Sequence, residues 1–161
     1  MLKISEIHTE GEELDAFRSL VREHQTYVGQ GFNPKGLEAE LVDPFSRYIP
    51  SRGVIVVGYW NDQSCAIGAL QDHGHNVCEL KRIYVSPDFR RKGIARSISE
   101  YLIARAHEIG YEKIWLDTLR RLPGAAQLYQ SLGFVEIRSS YEGPGRDLVV
   151  MEIKLTNKEN Q

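Results

Sequence analysis

The sequence predicts a mixed α/β fold in one domain, with about seven strands and about four helices. Three observations lead there. The chain has 161 residues, enough for one hydrophobic core and short of two comfortable ones. Hydrophobic residues make up 42% and charged residues 26%, the balance of an ordinary globular protein. The hydrophobic period switches between two and 3.6 in the order β-α-α-β-β-β-α-β-α-β-β. No repeat, low-complexity tract or linker divides the domain, which takes in residues 1–161.

Residues 2–7 alternate apolar and polar and read as a first strand. Thr9 offers a helix cap with Glu12 as its capping-box partner, and Leu14, Phe17, Val21 and Val28 follow as one apolar stripe. Gly29 and Gly31 end that helix. A second helix is predicted over 36–45, between Pro34 and Pro44. Residues 53–60, rich in Val and Ile, form the next strand, and Asn61-Asp62-Gln63 a turn. Residues 65–70 and 77–85 are two more strands, joined by a turn over 72–76, and Pro87-Asp88 closes the second. From Gly93 the period becomes helical again, with Ile94, Ile98, Leu102 and Ile109 on one face and Gly110 as the stop. Residues 113–116 read as a buried strand. Pro123 opens a short helix that runs to Leu132 and ends at Gly133. Residues 134–138 and 148–155 are the last strands, and 156–161 a polar, frayed tail.

A net charge of −2 argues against a general nucleic-acid binder, which needs a basic excess to displace counterions from phosphates. No apolar run approaches a membrane span, and the N-terminus lacks the pattern of a signal peptide. Cys65 and Cys78 are the only cysteines, too few for a disulfide framework, so a reducing cytoplasm is expected.

The most informative segment is Val85-Ser86-Pro87-Asp88-Phe89-Arg90-Arg91-Lys92-Gly93-Ile94-Ala95-Arg96. A strand ends there, a turn follows, and a helix begins at a glycine among cations. The first turn of a helix presents unpaired N–H groups and the positive end of its dipole. Gly93 lets an anion approach those amides with no Cβ in the way, and Ala95 keeps the next approach nearly as open. Arg90, Arg91, Lys92 and Arg96 add charge, a placement the helix dipole would disfavour without a bound polyanion. The segment lacks the Gly-Lys-Ser/Thr ending of a P-loop, and no three-glycine fingerprint follows the first strand.

Arg90-Arg91-Lys92-Gly93-Ile94-Ala95 resembles the signature of the GNAT superfamily of N-acetyltransferases: Arg or Gln, two variable residues, Gly, one variable residue, then Gly or Ala. Glu79-Leu80-Lys81-Arg82-Ile83-Tyr84-Val85 before it and Leu128-Tyr129-Gln130-Ser131-Leu132-Gly133-Phe134 after it strengthen the resemblance, which covers residues 50–155 well and the first 50 in outline. It implies a mostly antiparallel mixed sheet and acetyl-CoA as cosubstrate, with no metal. The amides of residues 91–96 would hold the CoA pyrophosphate with Arg90 nearby. The pantetheine arm would run beside Ile83, Tyr84 and Val85, in a slot opened by a β-bulge.

An alkyl amine is protonated at neutral pH and cannot attack a thioester. Glu79 matches the general-base glutamate of several family members; an ion pair with Lys81 or Arg82 is its structural alternative. The resemblance also implies that a backbone N–H near Val85 meets the developing oxyanion, as is usual in the family. Tyr129 matches the tyrosine beside the CoA sulfur, as hydrogen-bond donor or general acid; packing on its helix is the alternative. Transfer would be direct, with Cys65 and Cys78 buried and inert. Leu122 departs from the family's cofactor-touching Asn.

His73, His75 and Cys78 flank a turn without a fourth ligand and read as a polar turn, not a metal site. His24 reads as a core or rim histidine that could also border the acceptor pocket. Tyr27, Phe32, Phe45 and Tyr48 fall where acceptor specificity is set in the family, and Arg146, in the turn-rich run 141–146, is a candidate partner for a substrate carboxylate. The expected acceptor is a small amine. A protein N-terminus or lysine, and a non-catalytic acyl-CoA-binding module, are the alternatives. No membrane or nucleic-acid partner is expected, and a homodimer is common in the family.

Overall fold

The computed structural model describes residues 1–28, 36–137 and 148–155. Seven strands form one sheet: β1 (Leu2–Glu6), β2 (Val54–Trp60), β3 (Gln63–Asp72), β4 (Val77–Val85), β5 (Lys113–Leu119), β6 (Val135–Ile137) and β7 (Leu148–Lys154). Their order is β1-β2-β3-β4-β5-β7-β6, antiparallel except for the parallel β4–β5 pair. The helices are α1 (Glu12–Val28), α2 (Leu37–Val42), α3 (Pro44–Arg47), α4 (Ile94–Ile109) and α5 (Pro123–Ser131). A parallel pair cannot be joined by a tight turn, and α4 supplies the crossover. No helix among the described residues is long and apolar enough to cross a membrane.

Both faces of the sheet are covered, which is why β2 reads as an unbroken apolar run. Val54 and Val56 point into one core with Ile98, Leu102 and Ala106 of α4. Ile55 and Val57 point into the other with Leu14, Phe17 and Val21 of α1. Each fully buried Leu or Phe side chain there contributes about 2–3 kcal/mol.

The second helix is two, not one. Asp43 precedes a proline, which disfavours the α region; it takes φ −141°, ψ 87° and separates α2 from α3. Thr9 does not cap α1: the first helical bond runs from the Asp15 N–H to the Gly11 carbonyl at 3.0 Å. β5 continues past Leu116 to Leu119, pairing with β7 as far as Leu148. β3 is longer than expected at both ends, and Pro87–Phe89 forms a single 3-10 turn. Gly110, at φ 107°, ends α4 as expected. Gly29, Gly31, Phe32, Pro34, Arg138, the run 141–146 and the tail 156–161 lie outside the described residues.

One irregularity shapes the site. Across β3–β4, Ile67 faces Tyr84 while Ala69 faces Lys81, so Arg82 and Ile83 together oppose Gly68. Arg82 takes a left-handed φ of 63°. Such a bulge bends its strand, and it stands at the place the family resemblance implies. β4 pairs with β5 only through Val77, Cys78 and Glu79; beyond them the two strands part. Gly68 is fitted to this bend. A Cβ there would lie 2.8 Å from Ile98 Cγ2 and Leu102 Cδ1 and 2.9 Å from Ile83 Cδ1. Gly68→Ala should therefore destabilise the fold by about 1–3 kcal/mol through overpacking. Denaturant unfolding checks this, and an unchanged midpoint would contradict it.

Candidate active site

The parting strands bound a cleft of about 990 Å³. Glu79 to Val85 of β4 form one wall, Asp117 to Leu119 of β5 another, and the start of α4 with Tyr129 of α5 closes one end. His24 and Tyr27 of α1 and Arg47 of α3 reach its other side.

At the α4 start, Arg91 (φ 65°) and Gly93 (φ 75°) both take left-handed conformations. Successive amides in turns of this kind form an anion-binding concavity. The first bond of α4 joins the Ser97 N–H to the Gly93 carbonyl at 3.1 Å, and the amides of residues 91–96 have no partner among the described residues. A Cβ on Gly93 would meet no atom within 4 Å. Unpaired donors beside open space fit a diphosphate.

The cations around this corner divide. Arg90, Arg91 and Arg96 line the cleft, and Arg96 also donates to the Ser131 hydroxyl. Arg90 turns toward α1: its Nε donates to the Val85 carbonyl at 3.1 Å, and its guanidinium lies 4.6 Å from the Tyr27 ring centroid. Lys92 stacks over Trp60 at 5.1 Å and does not line the cleft. Ile83, Tyr84, Val85, Ile94 and Ala95 all do. Tyr84 sends its hydroxyl to Glu23 at 2.8 Å; burial first, then that bond, push its phenol up to about 12.

Glu79 is tied by Oε1 to His73 Nε2 at 2.8 Å, with Lys81 Nζ 3.7 Å from Oε2. The pairing with Lys81 is thus present, whereas Arg82 turns elsewhere. His73, read from the sequence as a turn residue, stands on the cleft beside Glu79. Among the described residues no group of three or more His, Cys, Asp or Glu is placed to hold a metal. Asp117 is exposed on the cleft, with protein groups around its carboxyl that displace part of its water. That desolvation, with the Glu79 charge next, raises its carboxyl above the usual range. Tyr129 is 7% exposed and packs edge-on against Phe134; burial pushes its phenol well up. Leu122 also lines the cleft.

Cys65 and Cys78 are free and buried. Burial raises both thiols, Cys78 to about 12, so neither is a thiolate nucleophile at neutral pH.

Glu40 was not singled out from the sequence, yet it is 1% exposed. It accepts from Arg82 Nε at 2.9 Å and Nη2 at 2.8 Å, from Arg47 Nη1 at 2.7 Å and from the Tyr48 hydroxyl at 3.0 Å. Burial alone would raise its carboxyl; the Arg82 hydrogen bonds and charge, then Arg47, outweigh that and hold it below the usual range. His24 stacks on Tyr84 at 5.1 Å, and its Nδ1 has no partner among the described residues. Burial, then the Arg82 charge, lower it to about 4, so it is neutral at physiological pH.

The model of the Acetyltransferase (GNAT) family matches residues 16–134. An uncharacterised N-acetyltransferase of Schizosaccharomyces pombe is 30% identical over 148 residues, 90% of each chain. The ribosomal protein bS18 alanine N-acetyltransferase of Escherichia coli is 35% identical over 82 residues, 48% of this chain and 55% of that one. Among solved structures, an acetyltransferase from Streptococcus agalactiae has a TM-score of 0.78 at 19% identity, over 96% of this chain and 98% of its own.

Proposed function

This chain belongs to the Acetyltransferase (GNAT) family and is an acetyl-CoA-dependent N-acetyltransferase; from that premise we propose that it moves acetyl directly onto the primary amine of a small molecule. One observation carries the reading: the unpaired amides of residues 91–96 open into the same cleft as Glu79 and Tyr129.

The amides, with Arg91 and Arg96 beside them, hold the diphosphate. The edge of β4 at Ile83, Tyr84 and Val85, released from β5, offers the pantetheine arm a strand to lie along. Arg90 must loosen from the Val85 carbonyl for the arm to pair there. Glu79 takes a proton from the incoming ammonium, and His73 relays it to solvent. The amine nitrogen then bonds to the acetyl carbon, an N–H at the end of β4 near Val85 steadies the oxyanion, and the carbon–sulfur bond breaks. Tyr129, on the cleft and packed against Phe134, donates a hydrogen bond from its hydroxyl to the departing sulfur. After attack the nitrogen is positively charged and carries two protons; it sheds one of them to solvent and keeps the other as the amide N–H, while solvent protonates the thiolate. The raised thiols of Cys65 and Cys78 speak against an acyl-enzyme, and two free cysteines suit a reducing cytoplasm.

A thiol-release assay over an amine panel tests the reading. Tyr129→Phe should lower kcat about 100-fold, as loss of one transition-state donor does, with acetyl-CoA affinity held. Unchanged kcat would remove the role of the hydroxyl. Likeness to the bS18 alanine enzyme favours a second reading, a peptide N-terminus as acceptor. Turnover of peptides in preference to free amines would select it.

A further inference from the structure

Away from the diphosphate corner, the cleft carries separated charges of opposite sign. On β4 and β5 stand Glu79 and Asp117, with Lys81 offsetting Glu79. Arg47 of α3 and Arg82, three positions after Glu79 on β4, also line the cleft and share a single carboxylate, Glu40. Two guanidiniums on one carboxylate leave one net positive charge at that wall, among the described residues. Their side chains are 25% and 11% exposed while that of Glu40 is fully buried, so the positive side of the cluster faces the cleft. A polyamine or other purely cationic acceptor would meet this charge unfavourably. Guanidinium forks match a planar carboxylate, and one excess charge suits a monoanion better than a phosphate dianion. His24, neutral and with its Nδ1 unpartnered, adds a polar edge beside the pair.

We propose that the acceptor is an amino acid or related amine that carries a carboxylate, held by Arg47 and Arg82 while its amino group lies toward Glu79 and Asp117. This rests on the acetyl-transfer reading for the amine end, but the anion wall can be tested by binding alone.

CoA-loaded protein is titrated calorimetrically with N-acetylated phenylalanine, leucine and glutamine, each beside its carboxamide, which lacks the negative charge. The acids should bind about 10–100-fold more tightly than the amides, as expected of charge-assisted hydrogen bonds. Arg47→Met should bring that ratio toward one, and Arg47→Lys should keep part of it. Arg82 continues to pair with Glu40 in both variants, so the buried carboxylate stays compensated. Equal binding of acid and amide, binding of neither, or a preference untouched by Arg47→Met would overturn the proposal. A thiol-release assay with the free amino acids separates the two readings. Acid preference without release counts against acetyl transfer to these acceptors and leaves the carboxylate site standing. Release with simple amines and no acid preference does the reverse.

Discussion

Gly93→Asp is expected to weaken acetyl-CoA binding by about three orders of magnitude, about 4 kcal/mol. Two effects add. At φ 75° a side chain costs about 1–2 kcal/mol in the left-handed region, and relaxing that strain turns the amides of the cradle away from each other. The new carboxylate then stands in the space where no protein atom lies within 4 Å of a Cβ, the space a diphosphate would fill, and repels it. Gly93→Ala separates the terms, since it keeps the strain without the charge; it should fall between the wild type and the aspartate. Calorimetric titration with acetyl-CoA reads both. An aspartate variant that binds like the wild type would mean that the diphosphate does not sit at the start of α4.

Glu40→Ala should cost about 3–5 kcal/mol of stability, the usual result of removing one partner from a buried ion pair. Arg82 is 11% exposed on its side chain and would be left without the carboxylate that accepts both its Nε and Nη2. The loss is local in origin and wide in effect. Arg82 is the bulge residue, held at φ 63°, and the two-pronged bond to α2 helps hold that strained backbone in place. The bulge in turn parts β4 from β5. The pH dependence has a definite sign. The folded carboxyl lies below its ordinary value of 4.5, so the folded state binds fewer protons near that pH. Its stabilisation is complete above about pH 4.5 and drains as pH falls through the lower folded value. Urea unfolding at pH 7 and pH 3 should therefore show a gap between the wild type and Glu40→Gln that narrows in acid. An unchanged midpoint for Glu40→Ala would show that the cluster does not support the fold.

Much of the sheet was legible because burial on both faces makes β2 a plain Val-Ile run, and because Gly110 and Pro123 punctuate their helices. The open helix start with its unpaired amides was legible for a different reason: it is made by backbone, and Gly93 among cations marks it locally. What the sequence hid depends on distant partners. Near the end of β5 stand Asp117 and Thr118, which line the cleft, so the apolar run is interrupted before the strand closes at Leu119. Glu40 sits in a short run, Leu37–Val42, that nothing marks as buried until Arg82, 42 positions on, reaches it. His73 looked like a turn residue because Glu79 meets it across the hairpin at 2.8 Å. The cations around Gly93 looked equivalent; the structure gives Lys92 to Trp60 and Arg90 to Val85 and Tyr27.

The most direct measurement compares the affinity of the wild-type protein for acetyl-CoA with that for acetylpantetheine, which keeps the thioester and arm but lacks the diphosphate and the adenosine 3′-phosphate beyond it, and repeats the comparison in Gly93→Asp to assign the diphosphate's share. Should residues 91–96 seize that group, acetyl-CoA will bind at least about 100-fold more tightly, the worth of several charge-assisted hydrogen bonds. Equal affinity for the two would contradict the account at its root.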